Sequence, residues 1–374
     1  MSKLKAGLVG CGNISDIYLK NSAAFEAFGI VACADVDLDR AKEKAAQFNI
    51  PMACTPQQLM EEPDIDFVLN LTPPSVHAEV ALLSLKSGKH VYSEKPLSVT
   101  RSDAEKIVAA AEERGLMVGN SPDTFLGGGI QTCRHIIDQG MIGEPVSAAA
   151  FMMNHGHEHW HPNPDFYYQT GGGPLFDMGP YYLTTLIFLM GPIHQVTGTA
   201  KMTYPERTIT SDERYGEKIK VTTPTQVNAV LDFENGAAAS LITSFDTWHH
   251  RLPHIELYGS EGSIVVPDPN RFDGPVYVRR FDEENWSEYP LTHGFTENSR
   301  GLGAADFAYA IMDDRPPRAS GTLAFHVLDA MQGIYDSSQA GKHYKLSSTC
   351  EKPDPLPANL TEQNIDDLLS LKNH

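Results

Sequence analysis

Over its first 120 residues the chain alternates short apolar runs with stretches of helical spacing. Lys5–Gly10, Ile30–Ala34, Phe67–Leu71, His90–Ser93 and Leu116–Val118 read as strands. Asn13–Ala27, Asp39–Phe48, Val76–Ser87 and Asp103–Arg114 read as the helices between them. The strand runs are mostly apolar instead of polar at every second position, the pattern of strands buried on both faces. Strand–helix alternation at this spacing predicts an α/β domain, a doubly wound parallel sheet covered by helices. Ligands of such a sheet bind outside the carboxyl ends of its strands, so the loops there carry the chemistry.

The first of these loops is Gly10-Cys11-Gly12-Asn13-Ile14-Ser15. Gly10 permits a tight turn, and Gly12 lets a pyrophosphate approach the backbone at a helix N-terminus, where free N–H groups favour an anion. Ser15 holds the third position of the pattern, small enough for close packing. Asp35 ends the second apolar run, where a carboxylate binds the adenosine ribose hydroxyls and repels a 2′-phosphate. That favours NAD, with Arg40 close enough in sequence to leave NADP possible. The competing reading is a plain tight turn, with Asp35 capping a turn beside Asp37.

After Asn120 the pattern changes. A helix is predicted over Gly129–Gln139, a strand over Val146–Met153 and a helix over Gly171–Met190. Strands follow at Thr225–Phe233, Ala237–Phe245, Pro253–Tyr258 and Ser263–Val266. Asn235-Gly236 between the first two is a hairpin signal. Helices near Ala304–Met312 and Leu323–Ala340 precede an irregular Ser347–Pro357. The expected organisation is a nucleotide-binding domain over 1–122, an α+β substrate-binding and oligomerisation domain with a large, mostly antiparallel open sheet over 123–346, and a tail over 347–374. A length of 374 residues suits two domains.

The 48 acidic against 29 basic residues leave a net charge of −19, which argues against nucleic-acid or anionic-membrane partners. No apolar run reaches the roughly 18 residues of a membrane span, and the N-terminus lacks the apolar core of a signal peptide. Five cysteines, without a C-x-x-C pair, fit a reduced thiol set and a cytoplasmic location.

Two more crevice loops are Leu71-Thr72-Pro73-Pro74-Ser75-Val76-His77 and Ser93-Glu94-Lys95-Pro96-Leu97. A third segment, Gly171-Gly172-Gly173-Pro174-Leu175-Phe176-Asp177-Met178-Gly179-Pro180-Tyr181, opens the predicted helix of the second domain. With the glycine turn, these segments resemble the Gfo/Idh/MocA family, which includes glucose–fructose oxidoreductase, inositol dehydrogenases and dihydrodiol dehydrogenases. The resemblance runs from Lys3 to about residue 345. It implies a Rossmann domain and an NAD(P)-dependent enzyme moving a hydride between nicotinamide and a carbinol carbon of a sugar or polyol. It implies cofactor contacts at Gly10, Gly12, Asn13, Ile14, Asp35, Thr72, Pro73, His77, Glu94 and Lys95. It makes Lys95 the residue shared by nicotinamide and substrate, and Asp177 the carboxylate that orients the substrate. No metal is implied, and a homodimer or homotetramer packed through the open sheet is expected.

Tyr181 departs from the pattern, standing where most members carry a catalytic histidine. Asp177 and Tyr181 are four apart and share a helix face. A tyrosine with a pKa near ~10 is a poor base. An ammonium such as Lys95 is expected to lower that value and allow a Lys–Tyr relay. Pro180 is expected to strain the helix, which would let Tyr182 turn inward instead. The loop Asn154-His155-Gly156-His157-Glu158-His159-Trp160-His161-Pro162 places four histidines at alternate positions, on one side if extended. It reads as a substrate lip, with His157, His159 and Trp160 as sugar contacts. Competing readings are a metal site shared with His249, His250 and His254, or a surface or subunit contact. Asp123 occupies a stretch where many relatives carry an arginine, and no arginine is placed to clamp a sugar acid. Two other functions compete: a redox-neutral NAD-dependent glycosidase, and a non-catalytic cofactor-sensing regulator, against which Lys95 and Asp177 both count.

Overall fold

The computed structural model describes residues 3–369. Strands β1 (Leu4–Val9), β2 (Phe28–Ala34), β3 (Met52–Cys54), β4 (Phe67–Asn70), β5 (His90–Ser93) and β6 (Val118–Asn120) form one parallel sheet in the order β3-β2-β1-β4-β5-β6. The order reverses between β1 and β4, so the crevice opens at their carboxyl ends. The helices are α1 (Ser15–Ser22), α2 (Leu38–Phe48), α3 (Pro56–Glu61), α4 (His77–Lys86) and α5 (Arg101–Arg114). The first predicted helix is shorter than its pattern suggested, because Phe25, Ala27 and Phe28 turn into the core and the chain enters β2 early. β3 and α3 were not anticipated. Three residues are too few to show a period, yet Thr55 and Gln58 form a reciprocal capping box that is visible in sequence.

The second part opens with α6 (Gly128–Asp138), β7 (Pro145–Met153) and α7 (Gly173–Met190). Strands β8 (Ile193–Lys201), β9 (Glu206–Thr208), β10 (Lys218–Lys220), β11 (Gln226–Phe233), β12 (Ala238–Ser244), β13 (Ile255–Gly259), β14 (Gly262–Val266), β15 (Val276–Arg280), β16 (Ser287–Tyr289) and β17 (Tyr344–Lys345) follow. β9 and β10 form a separate ribbon. The others join β7 in a nine-stranded sheet, antiparallel except where β7 meets β12. The Asn235-Gly236 turn joins β11 to β12 as expected, with Gly236 at φ 89°. Along β11, Val227, Ala229, Leu231 and Phe233 face inward, while Asn228 and Val230 lie on the open face. α7 and α9 (Gly321–Ala340), the latter preceded by α8 (Leu302–Asp313), are packed on the inner face.

α7 runs unbroken through Pro180 and is buried along almost its whole length. It therefore carries Asp177 into the protein on a rigid rod, with neighbours holding the proline in line.

Contacts at three places fasten the C-terminal helices to the parallel sheet and its helix α5. Phe307 of α8 packs edge-on against Phe67 at 5.7 Å and lies 5.7 Å from Tyr92, with all three rings fully buried. Asn120 N–H donates to Ala319 O at 2.9 Å beside β6. Arg101 of α5 bonds Asp329 at 2.6 Å and Asp336 at 2.9 Å on α9. The chain is irregular from Ser347 to Pro357 and ends, among the described residues, in α10 (Ile365–Leu369), where Asp366 accepts from Glu26 N–H at 3.2 Å. No helix among the described residues is long and apolar enough to cross a membrane.

Replacing Phe307 by alanine would leave a cavity between the parallel sheet and α8. The expected loss is about 3–5 kcal/mol, read as a lower urea midpoint for the purified protein.

Candidate active site

At the end of β1, Gly10 takes φ 101° and donates to Ala34 O at 2.8 Å. A Cβ there would lie 2.7 Å from the Leu71 carbonyl, so only glycine lets the loops after β1 and β4 meet. A Cβ on Gly12 would meet nothing within 4 Å; it faces open space where α1 begins. Asn13 and Ile14 are exposed beside it, and Ser15 folds its hydroxyl onto Gly12 O at 2.7 Å. Asp35 is buried, accepting from Cys11 N–H and Asp37 N–H, each at 2.9 Å. Arg40 lies 3.5 Å from Asp35 and 3.6 Å from Asp37, so its charge is already paired. An open glycine at a helix N-terminus, with a fixed carboxylate alongside, fits the expected dinucleotide.

Thr72 and Pro73 lie on the rim of the next loop, where Thr72 Oγ1 donates to Asn70 Oδ1 at 2.6 Å. His77 corrects the sequence expectation. Its ring is fully buried, with Nδ1 2.7 Å from Pro96 O and Nε2 2.7 Å from Thr72 O. Both nitrogens are occupied by backbone, so the ring offers a ligand nothing. It braces the loop after β4 against the loop after β5. Burial holds its pKa below the ordinary histidine value, against the pull of the two carbonyls.

The loop after β5 and helix α7 meet at one ion pair. Lys95 Nζ donates to Asp177 Oδ1 at 3.0 Å and to Asp177 O at 2.6 Å. Glu94 is beside it, accepting from Tyr18 Oη at 2.7 Å and from Lys95 N–H at 3.0 Å. Burial works against the Lys95 charge, but Asp177, Tyr181 and Glu94 outweigh it and raise its pKa above that of a free lysine. Burial likewise opposes the Asp177 charge, and Lys95 and His157 reverse the effect, holding the carboxyl at about 2. Both groups are therefore ionised at neutral pH.

Tyr181 faces this pair, with its ring 5.1 Å from Lys95 Nζ. Tyr182 points elsewhere, its hydroxyl on His254 Nδ1 at 2.9 Å, so the inward tyrosine is Tyr181. The expected lowering of the Tyr181 pKa is overturned. Burial raises it and outweighs the opposing pull of Lys95 and Arg300, so the phenol stays protonated.

The histidine loop is also corrected. It is a turn, closed by His161 N–H on His157 O at 3.0 Å, so the four histidines do not share a side. His155 stacks on Trp248 at 3.4 Å. His157 alone reaches the ion pair, with Nε2 3.2 Å from Asp177 Oδ2. Glu158 turns into the core, where Arg207 on β9 binds Glu158 and Asp246, both nearly fully buried. His159 and Trp160 are exposed, Trp160 with its ring 5.4 Å from that of His157. No group of three or more His, Cys, Asp or Glu among the described residues could hold a metal ion.

Sequence reasoning missed the roles of three residues. Arg300, just before α8, donates to Asn298 Oδ1 at 2.8 Å and to Asn270 Oδ1 at 2.7 Å, and its charge acts on Tyr181. It brings a guanidinium to the site from far along the chain. Asp123, where a basic residue was looked for, accepts from Gly301 N–H at 2.8 Å and Gly303 N–H at 3.0 Å, fixing the segment that carries Arg300. Arg207 anchors the histidine loop. None of the three stands in a local motif.

Together these features define a dinucleotide-dependent oxidoreductase with a lysine–carboxylate site. The sequence model of an oxidoreductase family with an NAD-binding Rossmann fold, GFO/IDH/MocA, matches residues 4–121, and that of the family's C-terminal domain matches 130–265. The chain belongs to the Gfo/Idh/MocA family. Its relatives include two proteins that bear the name dTDP-3,4-didehydro-2,6-dideoxy-α-D-glucose 3-reductase. The protein from Streptomyces antibioticus is 31% identical over 88% of this chain and 94% of its own length. The one from Actinomadura kijaniata is 27% identical over 84% and 90%. A levoglucosan dehydrogenase structure in complex with NADH and L-sorbose has the same fold, with a TM-score of 0.80 at 22% identity, covering 93% of this chain and all of that one.

Burial raises the pKa of Asp123 to about 6, against the help of the two glycine N–H groups and Arg300. A carboxyl whose folded pKa lies above its unfolded value costs stability as it ionises, so the native state weakens as pH rises from about 4 through 6. Asp123→Asn is expected to flatten that part of the profile. Thermal melts of both proteins between pH 4 and 7.5 read the difference, by about 2–3 kcal/mol at the neutral end.

Proposed function

We propose that the chain is an NAD-dependent dehydrogenase or reductase acting on a secondary alcohol of a neutral sugar, sugar derivative or polyol. The observation that carries this reading is the half-buried Lys95–Asp177 pair facing a protonated Tyr181. Gly10, Gly12, Asn13, Ile14, Asp35, Thr72, Pro73, Glu94 and Lys95 would hold the dinucleotide. When bound, it supplies the hydride acceptor or donor. The protein supplies charge and position. Lys95, always cationic, donates to the reacting oxygen and stabilises negative charge developing there. Asp177, always anionic, accepts from a neighbouring hydroxyl and sets the carbon presented. Tyr181 donates a hydrogen bond to the same oxygen. His157 lines the substrate side, with His159 and the exposed face of Trp160 available to a sugar ring.

The sugar class draws on the relatives' activities and on the absence of a carboxylate clamp, since Arg300 is engaged by Asn298 and Asn270. The paired Arg40 and the buried Asp35 favour NAD over NADP. We further propose the division 1–122, 123–346 and 347–374, assembly as a homodimer or homotetramer through the open sheet face, and a cytoplasmic setting that suits five free thiols.

The test is reduction of NAD and of NADP against aldoses, inositols and glycosides, followed by absorbance. A signal with NAD on one class supports the reading. Consumption of a glycoside without net reduction would replace it with the redox-neutral glycosidase. Lys95→Ala is expected to lower kcat by about 10²–10⁴-fold while NAD still binds by fluorescence. Asp35→Ser is expected to move the kcat/KM preference toward NADP by roughly tenfold or more, the scale of one charge contact.

A further inference from the structure

Two side chains from different parts of the molecule hold the Asp177 carboxylate. Lys95 Nζ, on the loop after β5, donates to Oδ1 at 3.0 Å, and His157 Nε2, on the loop between β7 and α7, lies 3.2 Å from Oδ2. A carboxylate only accepts, so that ring nitrogen carries the proton. One donor would leave the group free to turn about its last torsion, which is broad for aspartate. The second donor fixes its plane. Whatever holds His157 therefore bears on where the substrate-orienting carboxylate points.

His157 is held from the core. Its backbone N–H donates to Tyr168 Oη at 3.2 Å, and that hydroxyl donates to Glu158, the next residue of the loop. Arg207 engages the same cluster through all three guanidinium nitrogens. Nε donates to Glu158 Oε1 at 2.8 Å, Nη1 to Asp246 Oδ1 at 2.9 Å, and Nη2 to the backbone oxygens of His155 at 2.7 Å and Phe245 at 3.0 Å. Thr225 Oγ1 donates to the other Asp246 oxygen at 2.6 Å. Tyr168 is fully buried, and the side chains of Arg207, Glu158 and Asp246 are 4%, 8% and 7% exposed. One cation thus serves two buried carboxylates, and any rearrangement would strand a charge away from water. Just beyond β9, Thr210 and Ser211 N–H donate to Glu158 O at 2.8 Å and 3.0 Å, tying the loop to the ribbon a second time. Gly156 stands at φ 84°, and a Cβ there would collide with Tyr168 Oη, so the loop closes this tightly only around a glycine.

We propose that Arg207 is a positioning residue for the reaction: through Glu158, Tyr168 and His157 it fixes the plane of the Asp177 carboxylate, and with it which hydroxyl pattern the enzyme accepts beside the reacting carbon. This rests on the dehydrogenase reading above. The chain of contacts is continuous, from the guanidinium to Glu158, from Glu158 to the Tyr168 hydroxyl, from that hydroxyl to the His157 backbone, and from the His157 ring to Asp177 Oδ2. Arginine suits the role because its planar fork sets direction as well as charge. Lys95 supplies the same carboxylate with charge from the dinucleotide side, so the two donors divide the work: Lys95 keeps Asp177 at the reacting position, and the Arg207 cluster sets its angle.

The test uses the full-length protein with NAD, a sugar it oxidises, and analogues of that sugar that lack one hydroxyl beside the reacting carbon. In the wild type one analogue is expected to lose about 10–100-fold in kcat/KM, the scale of a hydrogen bond to a charged group. Arg207→Lys keeps the charge but loses the fork. Tyr168→Phe keeps the ring and the ion pairs and cuts only the link to His157. Each is expected to lower kcat/KM on the full sugar by about 10²-fold, the scale of a small misplacement, while NAD still binds by fluorescence. In both variants the further loss on the analogue is expected to shrink to a few-fold, because the hydroxyl it lacks is no longer well met. A merely structural role would make the two losses multiply, so discrimination kept in full by Tyr168→Phe overturns the proposal. The His157 Nε2–H signal in nitrogen-15 NMR of the cofactor-free protein is expected to move in both variants, as in Asp177→Asn, and a signal unmoved by Tyr168→Phe also overturns it. If no sugar or polyol reduces NAD, the dehydrogenase reading fails, and the nitrogen signal alone then decides whether the Arg207 cluster is coupled to Asp177.

Discussion

The ion pair between Lys95 and Asp177 joins the two halves of the molecule at the place where they must cooperate. Each side chain is about one-sixth exposed, so neither charge is well hydrated, and each is kept ionised by the other. Pairs of this kind contribute little net stability against an apolar replacement, but removing one partner strands a buried charge. Their value is geometric. The lysine ammonium also caps the Asp177 backbone oxygen, so the loop after β5 is registered against one particular turn of α7. Tyr181, one turn further on, is brought under the same ammonium.

The site divides into parts that were legible in sequence and parts that were not, and sequence locality explains the division. Gly10, Gly12 and Asp35 are fixed by backbone geometry at strand ends, which the order of runs reveals. Glu94, Lys95 and Asp177 sit in short motifs. The same local view misjudged His77, because a motif position says nothing of whether a ring faces a ligand or a neighbouring loop. It misjudged the Tyr181 pKa because proximity to Lys95 was readable and burial was not. It missed Arg300, Asp123 and Arg207, whose partners lie tens to hundreds of residues away along the chain.

The histidine loop shows a further limit. Alternate histidines suggested a strand-like ribbon with one chemical face. The chain instead makes a turn, with Gly156 at φ 84° and Glu158 directed inward to Arg207. That inward glutamate separates His155, stacked on Trp248, from His157, held at Asp177.

The packing of α8 on the parallel sheet also bears on how the protein is made. The last strand of that sheet ends at Asn120, but the helix that seals Phe67 and Tyr92 begins at Leu302. At the usual pace of synthesis, about 5–20 residues per second, the ribosome works for on the order of ten seconds or more between the two. Through that interval Phe67 and Tyr92 lack the ring that covers them, and it arrives only once Phe307 has been made.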